Sequence, residues 1–148
     1  MRHKTRWGAA AVAAVGAYKA WRGASFAALF PPLALGLVLA FILFNKVGSP
    51  QYMTWLAAPL VVALVIDRRR WFRPATLGLL IAVLTFAVYP LTYWGLLLAE
   101  PFPAGLLTAR NLLLAVLFVW VVIRLSRVQI HPHVHARNHA RRNRAAAT

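Results

Sequence analysis

The chain has 148 residues, 61% hydrophobic and only 13% charged, with a mean hydropathy of +0.66 and a formal charge of +15. An ordinary soluble domain is roughly half apolar and about a quarter charged. The composition therefore excludes a disordered basic tail, a soluble enzyme and a typical nucleic-acid-binding domain. It leaves an integral membrane protein whose few charges are almost all positive. Cysteine is absent, which also removes disulfides, thiolate metal sites and thiol catalysis.

In chain order, residues 1–23 form a basic N-terminus around the Ala-rich stretch Trp7 to Tyr18, bounded by Arg6 and Lys19. Twelve residues are too few to cross a hydrocarbon core about 30 Å thick. The stretch reads either as a weak signal peptide, with small residues at Val15-Gly16-Ala17, or as a short interfacial helix. Four apolar runs follow, at about 24–44, 50–66, 75–99 and 105–123, and make residues 24–126 a membrane domain. The first holds Pro31-Pro32, which either starts its regular helix or kinks it, and the third holds Pro90, a predicted bend. Runs this continuous require helices, because only a helix satisfies its own backbone hydrogen bonds within lipid. The expected fold is thus all-α: a polytopic helical bundle of four transmembrane helices plus a short N-terminal interfacial helix.

Charge gives the expected orientation. With the N-terminus inside, Arg2, Lys4, Arg6, Lys19, Arg22, the cluster Arg68 to Arg73, and the arginines from Arg124 to Arg144 all face the cytoplasm. Lys46 and Arg110 are the two basic residues left outside, a split of 15 to 2 that fits the positive-inside rule. Cleavage after Ala17 would invert that pattern, so the preferred reading is an uncleaved interfacial helix at 7–18, or the remnant of a span that was longer in a parent sequence. The expected location is the plasma (inner) membrane with both termini cytoplasmic. Tyr52, Trp55, Tyr93, Trp94 and Phe102 fall near the outer boundary, and Trp21, Trp71 and Phe72 near the inner one. Their expected role is anchoring at the headgroups, with sugar stacking as the alternative.

Chemistry is concentrated at few positions. The outer loop Asn45-Lys-Val-Gly-Ser-Pro-Gln-Tyr52 offers Lys46, Ser49, Gln51 and Tyr52 around a Gly48/Pro50 turn. An ammonium beside hydroxyl and amide donors suits a phosphate at the membrane surface; the alternative is a solvated hairpin with Lys46 snorkelling. Arg110, in Thr108-Ala-Arg-Asn111, sits about five residues into the last run. At that depth an arginine is costly and marks function, unless the helix begins later and the side chain snorkels outward. Glu100 is the one outer carboxylate, too little by itself for acid/base chemistry. Asp67 is expected to offset a neighbouring arginine. The tail, residues 127–148, carries His131, His133, His135 and His139 without a nearby carboxylate or thiol. It is expected to lie on anionic lipid rather than to hold metal or nucleic acid. No motif calls for a cofactor.

At Lys46-Val-Gly-Ser-Pro-Gln-Tyr52, followed by Trp55-Leu and an apolar run, the sequence resembles the C-terminal part of the GT-C class, polyprenyl-phosphate-mannose-dependent mannosyltransferases of glycosyltransferase family 87. Leu106-Leu-Thr-Ala-Arg-Asn-Leu-Leu113 is similar to the opening of their final span. The resemblance implies contact with a polyprenyl-phosphate sugar on the outer face through Lys46, Ser49, Gln51, Tyr52 and Arg110. The acidic loop that carries catalysis in those longer enzymes has no counterpart here. The resemblance therefore implies a chain that binds the lipid-linked donor without completing catalysis alone. The alternative is a non-enzymatic subunit or scaffold of a larger membrane protein complex.

Overall fold

The computed structural model describes residues 2–44, 50–98 and 100–129. Six helices follow in order: α1 (Arg2–Trp21), α2 (Phe26–Phe44), α3 (Thr54–Ile66), α4 (Arg68–Phe86), α5 (Tyr93–Leu97) and α6 (Pro101–Ser126). A single 3₁₀ turn, Pro50–Met53, leads into α3, and a wide π-type turn, Ala87–Leu91, follows α4. No strand occurs among the described residues.

Among the described residues, three helices are long and apolar enough to cross a membrane: α2, α4 continued through Tyr89, and α6. The expected second span, 50–66, is the exception. Its helix α3 has 13 residues, about 20 Å at the helical rise, which falls short of the hydrocarbon core. The expected third span also moves, from 75–99 to Arg68–Tyr89, because the arginine triplet is the first turn of α4 rather than a loop.

That shift is set by Asp67. It is the sole residue between α3 and α4, with φ −151° and ψ 81° breaking the helix. Its Oδ1 accepts from the Arg70 backbone N–H at 3.2 Å, and its Oδ2 pairs with Arg70 Nε at 3.2 Å. One carboxylate thus caps the new helix and pairs with one of the three arginines in its first turn, which is the offsetting role expected for it.

The corner between α1 and α2 is equally defined. Gly23 has φ 88°, its N–H bonds to Ala20 O, and Ala24 N–H reaches Lys19 O. This pair of bonds is a Schellman motif, which places glycine where other residues are strained. The chain then re-enters helix with Ala28 and Leu29 N–H both bonded to Ser25 O. Pro31 and Pro32 lie inside the second turn of α2 and are buried. The helix continues through them instead of starting there.

Helix α1 departs most from expectation. It is 20 residues long, not 12, and packs chiefly on α2, while also touching α6. A Cβ at Gly8 would overlap the Phe44 ring, one at Gly16 would overlap Leu33, and Gly36 lies against Val12. These pairs run in opposite directions along the two helices, so α1 and α2 are antiparallel over most of their length. An interfacial helix at 7–18 would lie flat at one level; this one lies alongside its neighbour. The start of α1 therefore sits at the end where α2 finishes, opposite Lys19 and Arg22. Small residues let the backbones approach closely, which compensates for the low hydropathy of alanine.

The main core joins α2, α3, α4 and α6 through Leu35, Leu39, Leu56, Ile81, Leu114 and Leu117. A second cluster joins Val12, Leu29, Leu125 and Val128 where α1, α2 and α6 meet. Trp71 belongs to the core, 4% exposed and edge-on to Trp120 at 5.4 Å, instead of anchoring at a boundary. Trp21, Phe72, Trp94 and Phe102 are exposed, as anchors require.

Candidate functional site

Pro90 determines the geometry at one end of the bundle. A proline disfavours helical backbone in the residue before it, and Tyr89 accordingly takes φ −122° and ψ 113°. Helix α4 ends in the wide turn Ala87–Leu91, closed by Thr92 Oγ1 donating to Ala87 O at 3.1 Å. The bend expected at Pro90 is therefore present. Tyr89 and Tyr93 rings sit 5.6 Å apart across it. Broken helix at membrane depth is tolerated where protein surrounds it or a cavity is lined.

Opposite this break lies Arg110. Helix α6 begins at Pro101 with Pro at its first position, a placement that needs no backbone donor. Arg110 is its tenth residue, about 14 Å from the start at the helical rise. It shares the inward stripe of Pro103, Leu114, Leu117, Val121 and Leu125. Only 2% of it is exposed, so it does not snorkel to the boundary. The helix starts earlier than expected and carries Arg110 deeper, into the bundle. The turn 87–91, which carries Tyr89, packs against α6. Thr85, one turn before the break, is buried, with its hydroxyl donating to Ile81 O at 2.7 Å.

The sequence-expected residues divide between elements. Lys46 and Ser49 lie outside the described residues. Gln51 and Tyr52 are in the 3₁₀ turn before α3. The Tyr52 ring packs edge-on to Trp55 at 5.1 Å and 5.8 Å from Phe41, forming an aromatic cluster on the core. This turn touches both α3 and α4. Because α3 and α4 form a tight hairpin at Asp67, the turn before α3 and the break after α4 share one end. Tyr52 and Arg110 are thus at the same end but held by different elements. Glu100 is exposed, with a carboxylate oxygen 2.6 Å from where a Gly95 Cβ would stand and its N–H bonded to Gly95 O. It folds back over α5. Among the described residues no cluster of His, Asp or Glu could hold a metal ion; the His-rich tail lies outside them.

Tyr89 is a site residue that sequence reasoning does not single out. Its only signal is its place before Pro90, and a proline marks a bend without saying which side chain the bend presents. Compared with known protein families, curated proteins and solved structures, the chain matches none.

Proposed function

We propose that this chain is a multi-pass membrane protein of the plasma membrane whose kinked end binds the phosphate or sugar of a polyprenyl-phosphate sugar. Arg110 is the principal ligand-binding group, with Tyr52 and Tyr89 held at the same end, and Lys46, Ser49 and Gln51 are proposed as further contacts to the ligand. The observation that carries the reading is an arginine 2% exposed, about three turns into an apolar helix, opposite a broken helix. A charge kept at such a position is expensive and is retained for work on a polar group within the membrane. A guanidinium suits phosphate or sugar hydroxyls because its donors are fixed in a planar fork. The resemblance to GT-C mannosyltransferases points to the same ligand. In this reading α2, α3, α4 and α6 form a four-span bundle, α3 being lengthened by the preceding turn. The arginine-rich end faces the cytoplasm and the kinked end faces outward.

The chain acts as a donor-binding subunit and not as a complete transferase. It holds two carboxylate side chains in all: Asp67 is paired with Arg70, and Glu100 is turned over Gly95. Neither forms the acid/base arrangement that glycosyl transfer requires, so a larger membrane partner supplies it. A second reading, a scaffold without ligand, is favoured by the packing of the Tyr52 ring into the aromatic cluster.

The two separate in one experiment. The full chain in lipid nanodiscs is titrated with a polyprenyl-phosphate sugar, alongside a Lys46→Ala, Arg110→Ala double variant. The expected result is at least about tenfold weaker binding by the variant, the scale of one charge-assisted hydrogen bond. Equal binding by both proteins would remove the donor-binding reading and leave the scaffold.

A further inference from the structure

At the opposite end of the bundle a cleft of about 580 Å³ opens between the start of α2, the α3–α4 corner and the end of α6. Its walls include Arg70, Arg124 and Arg127, with Asp67 and Trp71 beside them. Three arginines, one from the start of α4 and two from the end of α6, line one space. Arg70 is engaged by Asp67 through Nε. Arg124 is half-buried and Arg127 exposed.

We propose that this cleft is a binding site for a phosphate-bearing lipid headgroup, separate from the site around Arg110. The chain itself cannot neutralise these arginines. It has two carboxylate side chains: Asp67 is already shared with Arg70, and Glu100 is at the other end, over Gly95. The negative end of α6 is also met, because Lys19 Nζ donates to Ser126 O and Val128 O, both at 2.8 Å. With that dipole offset by lysine, Arg124 and Arg127 remain for an anion.

Two further features specify its chemistry. Pro31 and Pro32 have no N–H, so they withdraw the helical donors that Ala27 and Ala28 carbonyls would otherwise receive. Both alanines line the same cleft as the arginines, so acceptor-bearing and donor-bearing residues border one space. A phosphodiester bearing hydroxyls, such as phosphoglycerol, uses both. Ile66 also lines the cleft. Itself 41% exposed, Ile66 gives the cleft an apolar edge on which an acyl chain can lie, which favours a lipid over a soluble phosphate.

The test uses the full chain in phosphatidylcholine nanodiscs, with thermal unfolding and lipid retention by native mass spectrometry as readouts. Phosphatidylglycerol is expected to raise the unfolding temperature and to be retained. Glycerol phosphate at millimolar concentration is expected to do neither; equal stabilisation by it would overturn the lipid assignment and give the cleft to a soluble phosphate. An Arg124→Gln, Arg127→Gln pair is expected to weaken retention at least about tenfold. An Arg69→Gln, Arg73→Gln pair removes the same charge from exposed positions off the cleft walls and is expected to change it less than about threefold. Equal loss in both pairs would show diffuse attraction to anionic lipid and overturn the site. Arg127→Gln alone, at an exposed residue, repeats the comparison with the core intact. Failure here leaves the polyprenyl-phosphate reading untouched, since that ligand is scored at the other end with Arg110 variants.

Discussion

Arg110 and Lys19 show what a single side chain does when lipid, not water, surrounds the fold. Replacing a whole buried ion pair by apolar residues is often neutral for stability, whereas removing one partner alone costs about 3–5 kcal/mol. No apolar residue replaces the hydrogen bonds that a guanidinium gives to a bound phosphate. Arg110→Met is expected to lose polyprenyl-phosphate sugar binding at least about tenfold while still unfolding cooperatively in detergent. A stability loss above about 3 kcal/mol with binding retained would identify Arg110 as structural. Lys19 works differently, because its ammonium ties α1 to two carbonyls at the end of α6. Lys19→Met is expected to lower stability by about 1–2 kcal/mol, measured by thermal or chemical unfolding in detergent. Neither role is legible from residue type. Arg110 is recognisable as costly, but its burial depends on α6 beginning at Pro101. Lys19 reads in the sequence simply as one more basic residue near the N-terminus.

Elements end where local chemistry ends them, and here much is readable. Gly23 follows a helix with Lys19 in its last turn, and its φ of 88° is a conformation that glycine accepts readily. Gly23→Ala is expected to cost about 1 kcal/mol in unfolding free energy. Asp67 precedes three arginines and caps the helix they begin. Asp67→Ala is expected to cost about 1 kcal/mol, and Asp67→Asn to recover most of it by keeping the capping oxygen. Recovery by Asn separates the cap from the ion pair with Arg70, which Asn does not form. Pro90 bends the chain as expected. Pro31 and Pro32 are less legible, because a proline pair says where donors are missing but not whether packing carries the helix through. The buried positions of both, against the core of α2, show that packing does so.

For the whole molecule, the arrangement of α1 carries the clearest test. The 15 to 2 division of basic residues assumes that Arg2, Lys4 and Arg6 lie with Lys19 and Arg22. Antiparallel packing on α2 moves the start of α1 to the other end, while Arg68 to Arg73, Arg124 and Arg127 stay together. In a membrane-impermeant labelling experiment, Thr5→Cys is expected to react from the same side as Gly48→Cys and opposite Ala146→Cys. Labelling of Thr5→Cys together with Ala146→Cys would show instead that α1 lies at the interface. The chain has no native cysteine to confuse the readout.

Sequence alone determined the helical class, the apolar runs behind α2, α4 and α6, the bend at Pro90 and the pairing of Asp67 with a neighbouring arginine. These depend on hydropathy, backbone donors and nearby side chains, all of which are local. Tertiary structure decided which side α1 packs against, how deep Arg110 lies, and that Arg70, Arg124 and Arg127 share a cleft. Those outcomes depend on how glycine-lined helix surfaces fit one another and where two chain-distant ends meet. Composition can state that fifteen more residues are basic than acidic; only packing decides which of them face one another and therefore require an anion.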